Sequence, residues 1–126
     1  MSYIPKYILK RMIPKDAVSN TDYGWVVKLT NVISPLSVDE IPDNVASLFT
    51  ISVDDNELDV NNLALAYEDK EVTMENPSAA LGVTVPVGGV IEIRYKGDKL
   101  SAGKHSFKLE IQASGGMGIE FEREVA

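Results

Sequence analysis

The chain has 126 residues, 44% of them hydrophobic and 25% charged, with one histidine and no cysteine. That length suits a single domain with a real core, and the missing cysteine excludes a disulfide framework, a thiolate nucleophile and any cysteine-ligated zinc or iron–sulfur site. Twelve Lys and Arg against nineteen Asp and Glu leave a net charge of −7, which disfavours binding to the phosphate backbone of nucleic acid.

The charge is uneven along the chain. Lys6, Lys10, Arg11 and Lys15 precede any acid, and from Asp16 onward nineteen acids face the remaining eight bases, a net charge of −11. Residues 1–15 are therefore expected to form a basic N-terminal arm or edge strand, lying across the acidic body or docking on an acidic partner. Tyr3, Ile4, Tyr7, Ile8 and Leu9 give this segment an apolar component, and a terminal strand of that kind pairs either within its own domain or with another chain. Pro5, Lys6, Lys10, Arg11 and Pro14 interrupt it, so it lacks the apolar run of a signal peptide. No apolar stretch approaches the roughly 20 residues that span a bilayer, and the expectation is a cytoplasmic protein without membrane contact.

Further along, the run Trp25 to Ile33 is rich in β-branched and aromatic residues and predicts a strand buried on much of both faces. Pro35 ends it, because proline cannot donate to a ladder. Ser37-Val38-Asp39-Glu40 has the capping-box pattern and predicts one helical turn, limited by Pro42. Leu48 to Val53 predicts a strand ending in the polar turn Asp54-Asp55-Asn56-Glu57, and Asp59 to Leu63 a second single turn. Leu63–Tyr67 and Val72–Met74 predict a hairpin around Asp69-Lys70, and Val83–Val85 a short strand stopped by Pro86. Strict alternation over Val90–Lys96, Phe107–Ala113 and Ile119–Val125 predicts three half-buried strands. Gly97-Asp98, Ser101-Ala102-Gly103 and Ser114-Gly115-Gly116 separate them, which suggests an antiparallel meander with Glu92, Arg94, Lys108, Glu110, Glu120 and Glu122 forming cross-strand charge pairs outside.

Seven or eight short strands at this spacing predict an all-β, single-domain antiparallel β-sandwich of immunoglobulin-like architecture, or a partly open barrel, with one or two short helical turns. The expected core is Trp25, Val27, Leu29, Phe49, Ile51, Val53, Leu65, Ile91, Ile93, Phe107, Leu109, Ile111 and Phe121.

Catalytic chemistry has little to work with. His105 is the only histidine, so one chain cannot build a multi-histidine metal site; it reads as a polar residue at the start of a strand. A triad would need a nucleophile and a carboxylate beside it in space, and no nucleophile-elbow motif is present. Eleven acids and one base, Lys70, lie between Asp39 and Glu75. The densest acids, Asp54, Asp55, Glu57 and Asp59, are the candidates for a hard cation such as calcium. The EF-hand glycine and the closing glutamate are both missing, so they read first as a solvated turn. Gly115-Gly116-Met117-Gly118 precedes a strand without a following Lys-Ser/Thr, and Gly88-Gly89 sits between valines. Both fit turns or bulges with positive φ better than a phosphate loop. Asn31 to Pro42 gathers Ile33, Leu36, Val38 and Ile41 around two prolines: at the surface they present an apolar patch to a partner, and at the end of the sandwich they plug the core.

Ile51-Ser52-Val53-Asp54-Asp55-Asn56-Glu57-Leu58, then Val87-Gly88-Gly89-Val90 and Leu100 to Leu109, resemble the small β subunits of C-glycoside deglycosidases. Those carry a strand ending in a Val-Asp-Gly-Glu-like turn and later a Gly-Gly-Leu-x-Pro-Gly-x-His lead into a strand. The similarity covers roughly the second half of the chain, and Asn56 and Ala102 stand where the pattern has glycine and proline. It implies an accessory β-sandwich beside a larger, metal-carrying catalytic subunit, and none of the family's catalytic residues map here.

Together these features point to a noncatalytic interaction module, an accessory subunit or a self-associating chain without a cofactor. Its candidate contact residues are Tyr3, Ile4, Tyr7, Ile8, Ile33, Leu36, Val38 and Ile41. The alternative is a small-ligand domain for sugar or calcium, using the loops near Asp54–Asp59 and Trp25.

Overall fold

The computed structural model describes residues 2–112 and 116–126. In chain order its elements are β1 (Ser2–Tyr3), α1 (Lys6–Met12), β2 (Val18–Thr21), β3 (Gly24–Thr30), β4 (Leu36–Ser37), β5 (Phe49–Val53), β6 (Asn56–Leu58), β7 (Leu63–Tyr67), β8 (Lys70–Thr73), β9 (Thr84–Val85), β10 (Val90–Lys96), β11 (Gly103–Ile111) and β12 (Met117–Val125). Single 3₁₀ turns occupy Val45–Leu48, Val60–Asn62 and Pro77–Ala80. Two five-stranded sheets, ordered β1-β12-β11-β5-β6 and β2-β3-β10-β7-β8, pack face to face, and β4 pairs with β9 as a separate ribbon. The chain is an all-β sandwich, antiparallel throughout except where β1 joins β12 in parallel.

Alternation decides which side chains meet between the sheets. Phe107 pairs with Phe121 across β11 and β12 and with Val53 across β5; Tyr95 pairs with Trp25 across β10 and β3. All five point inward and are buried. Trp25, 1% exposed, stacks on Tyr95 at 5.2 Å between ring centroids and meets Phe107 edge-on at 5.6 Å, while Phe107 stacks on Phe121 at 5.1 Å. Gly24 is required beside this cluster, since a Cβ there would lie 2.1 Å from the Tyr95 carbonyl oxygen. Of the expected core, Trp25, Val27, Ile51, Val53, Ile93, Phe107 and Phe121 are buried, and the other six are partly so.

Three expectations change. The last three strands are not one meander: β11 pairs with β12, but β10 lies in the opposite sheet between β3 and β7, so the link after Gly97 crosses the sandwich. Accordingly, among the described residues the outer-face ion pairs are Arg94 with Glu92 on its own strand (2.8 Å) and with Glu71 of β8 (2.6 Å), and Lys96 with Glu71 (3.9 Å); Lys108 stands opposite Glu120 across β11 and β12, but no ladder joins the two sheets. Ser37 caps no helix; it lies in β4, its hydroxyl 3.2 Å from that of Thr84, and the nearest helical turn is Val45–Leu48. The Asp59 turn does form, with the Asp59 side chain accepting from the Asn61 N–H.

The third change lies within residues 1–15, which begin with an edge strand, β1, as expected, but continue as a helix that joins the core. Pro5 accepts from the Leu9 N–H and Leu9 from the Ile13 N–H, closing the seven-residue helix α1 with Lys10 and Arg11 in its last turn, where the helix dipole favours positive charge. Leu9 and Met12, three apart on one face, are buried, and Ile13 is 0% exposed. Arg123 of β12 donates to the Ile13 and Pro14 carbonyls, locking the segment over the edge where β12 meets β2. Gly88 and Gly116 take positive φ as turns require, whereas Gly118 is extended in β12 with the Tyr3 ring where a Cβ would point. The expected turn at Ser114-Gly115 lies outside the described residues.

Candidate functional site

The sandwich carries a polar cluster at one end and an apolar groove along one edge. The polar cluster grows from the β5–β6 hairpin. Val53 pairs with Asn56, leaving a two-residue loop in which Asp54 and Asp55 both take positive φ, 52° and 67°, the geometry of a tight hairpin turn. This folds Asp54 back onto β11: its N–H donates to the Ser106 carbonyl at 2.8 Å, and one carboxylate oxygen accepts the Ser106 N–H at 2.9 Å. The other oxygen lies 2.5 Å from His105 Nδ1, and His105 Nε2 lies 2.7 Å from the Ser101 carbonyl oxygen and 3.3 Å from its hydroxyl.

The structure thus brings a nucleophile and a carboxylate beside His105, which the sequence could not do. In this arrangement, however, the ring nitrogen nearest the Ser101 hydroxyl is engaged by the Ser101 carbonyl oxygen at 2.7 Å. A carbonyl oxygen and a carboxylate only accept hydrogen bonds. With acceptors facing both ring nitrogens, the geometry favours the doubly donating, protonated ring, which has no lone pair for the Ser101 hydroxyl. The Asp54 side chain first, then the Ser101 carbonyl, raise the His105 pKa above its ordinary 6.5, and the Ser106 N–H first, then His105, lower that of Asp54 below 3.8. His105 is a clamp joining the β5–β6 turn to the loop before β11.

The clamp has a pH signature. A raised histidine pKa contributes stability fully below about pH 6.5, and the contribution is lost as pH rises through the folded value; a lowered Asp54 pKa contributes above about pH 3.8 and is lost as pH falls through its own. Urea unfolding is expected to show wild-type stability declining relative to His105→Gln as pH rises past neutrality. Parallel profiles for the two proteins would remove the clamp.

The cation candidates are not brought together. Both Asp54 oxygens are engaged, an Asp59 oxygen accepts from Asn61, and Asp55 and Glu57 stand in solvent. Among the described residues no three His, Asp or Glu side chains form a metal-binding group. A cleft of about 440 Å³ with mixed polar and apolar walls opens beside Asp54, its lining including Asn56, Leu58, Asn62, Asp98, Lys99 and Leu100. Trp25 reaches its floor, but that ring is spent on the core and offers no face for a sugar.

The apolar groove lies on the opposite side from α1, along the β7–β8 edge. There the chain from β4 to the Val45–Leu48 turn, with the turn Pro77–Ala80, spans the gap left between the two sheets. Two recesses, of about 230 and 110 Å³, share Val38, Leu65, Val72 and Ala80. Ile41, Phe49 and Met74 continue the first, and Leu36, Val83 and Ile91 the second. Val38 is fixed by backbone bonds to Val83 and Gly82, and the Asn31 amide ties the preceding loop to the Ser34 and Val85 carbonyls. Leu36 is 52% and Ile33 57% exposed.

The candidate contact residues therefore divide. Val38 and Ile41 line the groove, Leu36 sits at its mouth and Ile33 stands free in the adjoining loop. At the N-terminus, Tyr3 donates to Glu110 at 2.9 Å, Ile4 and Ile8 pack half-buried on the core, and Tyr7 is 72% exposed. The groove floor from β7 and β8 escaped the sequence reading, although the inward positions Leu65 and Val72, facing each other across that hairpin, were available as its signal. No described helix is long and apolar enough to cross a membrane. No protein-family profile matches the chain, and no curated protein matches it.

Proposed function

We propose that the protein is a noncatalytic β-sandwich interaction module, an accessory subunit or a self-associating chain, which holds a protein partner along the edge formed by Ile33, Leu36, Val38 and Ile41. The observation that carries this reading is the apolar groove with Leu36 left half in solvent at its mouth and Ile33 exposed in the adjoining loop. Contiguous apolar surface of this kind is what docking faces bury. The engagement of His105 by Asp54 and Ser101 supports a noncatalytic role, because it leaves the only histidine without a free base. The resemblance of the second half to small deglycosidase subunits points toward an accessory partner of a larger chain.

Ile33→Asp with Leu36→Asp tests the reading, since both residues are more than half exposed. The wild-type chain is expected in species heavier than its own 13.8 kDa, either purified or in native extract, by sedimentation velocity. The double variant is expected to sediment as a monomer with an unchanged melting temperature. A wild-type chain that is monomeric in both settings would sink the proposal.

A further inference from the structure

We infer that the groove's occupant is a second copy of this chain, presented through the exposed face of α1. This rests on the interaction-module reading and specifies its partner. The two surfaces are complementary in both charge and shape. Glu40 lines the first recess, exposed Asp39, Asp43 and Glu75 directly adjoin its lining residues Glu40, Pro42 and Met74 in the chain, and Lys70 is the one base lining either recess. The solvent face of α1 is Lys6, Tyr7, Lys10 and Arg11: three cations around one aromatic ring, without an acid. Glu120 and Glu122 of β12 share a recess with Lys6 and Lys10, yet among the described residues none of the helix cations is ion-paired.

Tyr7 is the anchor. It is 72% exposed, and a recess of about 230 Å³ has room for one aromatic side chain. Tyrosine seated in an apolar pocket and ringed by charge pairs is a common arrangement at the energetic centre of an interface. Neither half of the pair is satisfied within one molecule. The helix covers the edge where β12 meets β2, and the first recess opens beside β7 and β8 at the other edge of the sheet that holds β2. The contact is therefore heterologous, each copy offering its helix to the groove of the next, and it generates a ring or an open series of sizes.

Sedimentation equilibrium of the intact chain over about 1–100 µM, a range that detects weak interfaces, tests this. The average mass is expected to rise with concentration and to fall with added salt, which screens the charge pairs. Tyr7→Ser is expected to weaken association about tenfold or more and to leave the melting temperature unchanged at concentrations where the wild type is monomeric. Charge reversal on the helix (Lys6→Glu, Lys10→Glu, Arg11→Glu) and beside the groove (Asp39→Lys, Glu40→Lys, Asp43→Lys) is expected to abolish self-association in each variant alone. Mixing the two is expected to restore it. A wild-type chain that stays monomeric throughout, or reversed variants that still self-associate or do not combine, would overturn the second-copy assignment. If, in that case, native extract still holds the wild type but not the Ile33→Asp/Leu36→Asp variant in a larger species, the interaction module stands with a different partner; if it does not, both readings fall.

Discussion

Trp25→Ala is expected to destabilise the protein by about 3–5 kcal/mol, the range for removing a large aromatic from a packed core. The ring is 1% exposed and joins the sheets, stacking on Tyr95 of its own sheet and meeting Phe107 of the other edge-on. Phe107 in turn stacks on Phe121, so its loss leaves a void from which three rings lose contact directly or through one neighbour. Small domains are stable by only about 5–15 kcal/mol, and the variant should sit close to its unfolding threshold. Urea titration followed by circular dichroism measures this, because the variant has no tryptophan left to report by fluorescence. A loss below about 1 kcal/mol, within the range of an ordinary surface change, would show that the aromatic cluster does not hold the sheets together.

Ile13→Ala is expected to cost about 2–5 kcal/mol, the range for truncating a fully buried aliphatic side chain. The test bears on the N-terminal segment as a whole. A basic arm lying loosely on an acidic body would tolerate the change within about 0.5 kcal/mol. A segment that inserts Leu9, Met12 and Ile13 into the core, with Arg123 fastened to the Ile13 carbonyl, would not. Tyr7→Ala, three-quarters exposed on the same helix, is the matched control and is expected to leave the unfolding midpoint in place. Equal, small effects at both positions would return the segment to the status of an arm.

The strands were the most legible part of the fold. Strict alternation over Val90–Lys96, Phe107–Ile111 and Ile119–Val125 reports burial on one face, and that depends only on neighbouring residues in the chain. Alternation says nothing about partners, however, and this is why the last three strands look like one meander when β10 belongs to the opposite sheet. Local cap chemistry failed at Ser37 for a related reason: a one-turn helix has little stability of its own, and pairing of β4 with β9 outweighs it. Helix α1 escaped notice because seven residues between Pro5 and Pro14 are too few to establish a helical period. Only burial of Leu9 and Met12 on one face marks it.

The candidate sites follow the same division. The sequence shows one histidine and a dense run of acids, but His105 and Asp54 are 51 positions apart. They meet because Phe107 pairs with Val53 and the hairpin turn then returns Asp54 to β11. The apolar character of Ile33, Leu36, Val38 and Ile41 is plain in the chain; whether it plugs the core or opens as a groove depends on β7, β8 and β9 arriving beside it.

By itself, then, the sequence determined the class of fold, the faces of its principal strands, the poverty of catalytic groups and the division between a basic start and an acidic body. These follow from composition and from periodicities of two residues, which are local. The tertiary structure alone decided that the basic start contributes Leu9, Met12 and Ile13 to the core, that the lone histidine is a clamp, and that the basic helix and the apolar groove lie at different edges of one sandwich. Those properties depend on strand register and sheet order, which arise from contacts between residues far apart in the chain.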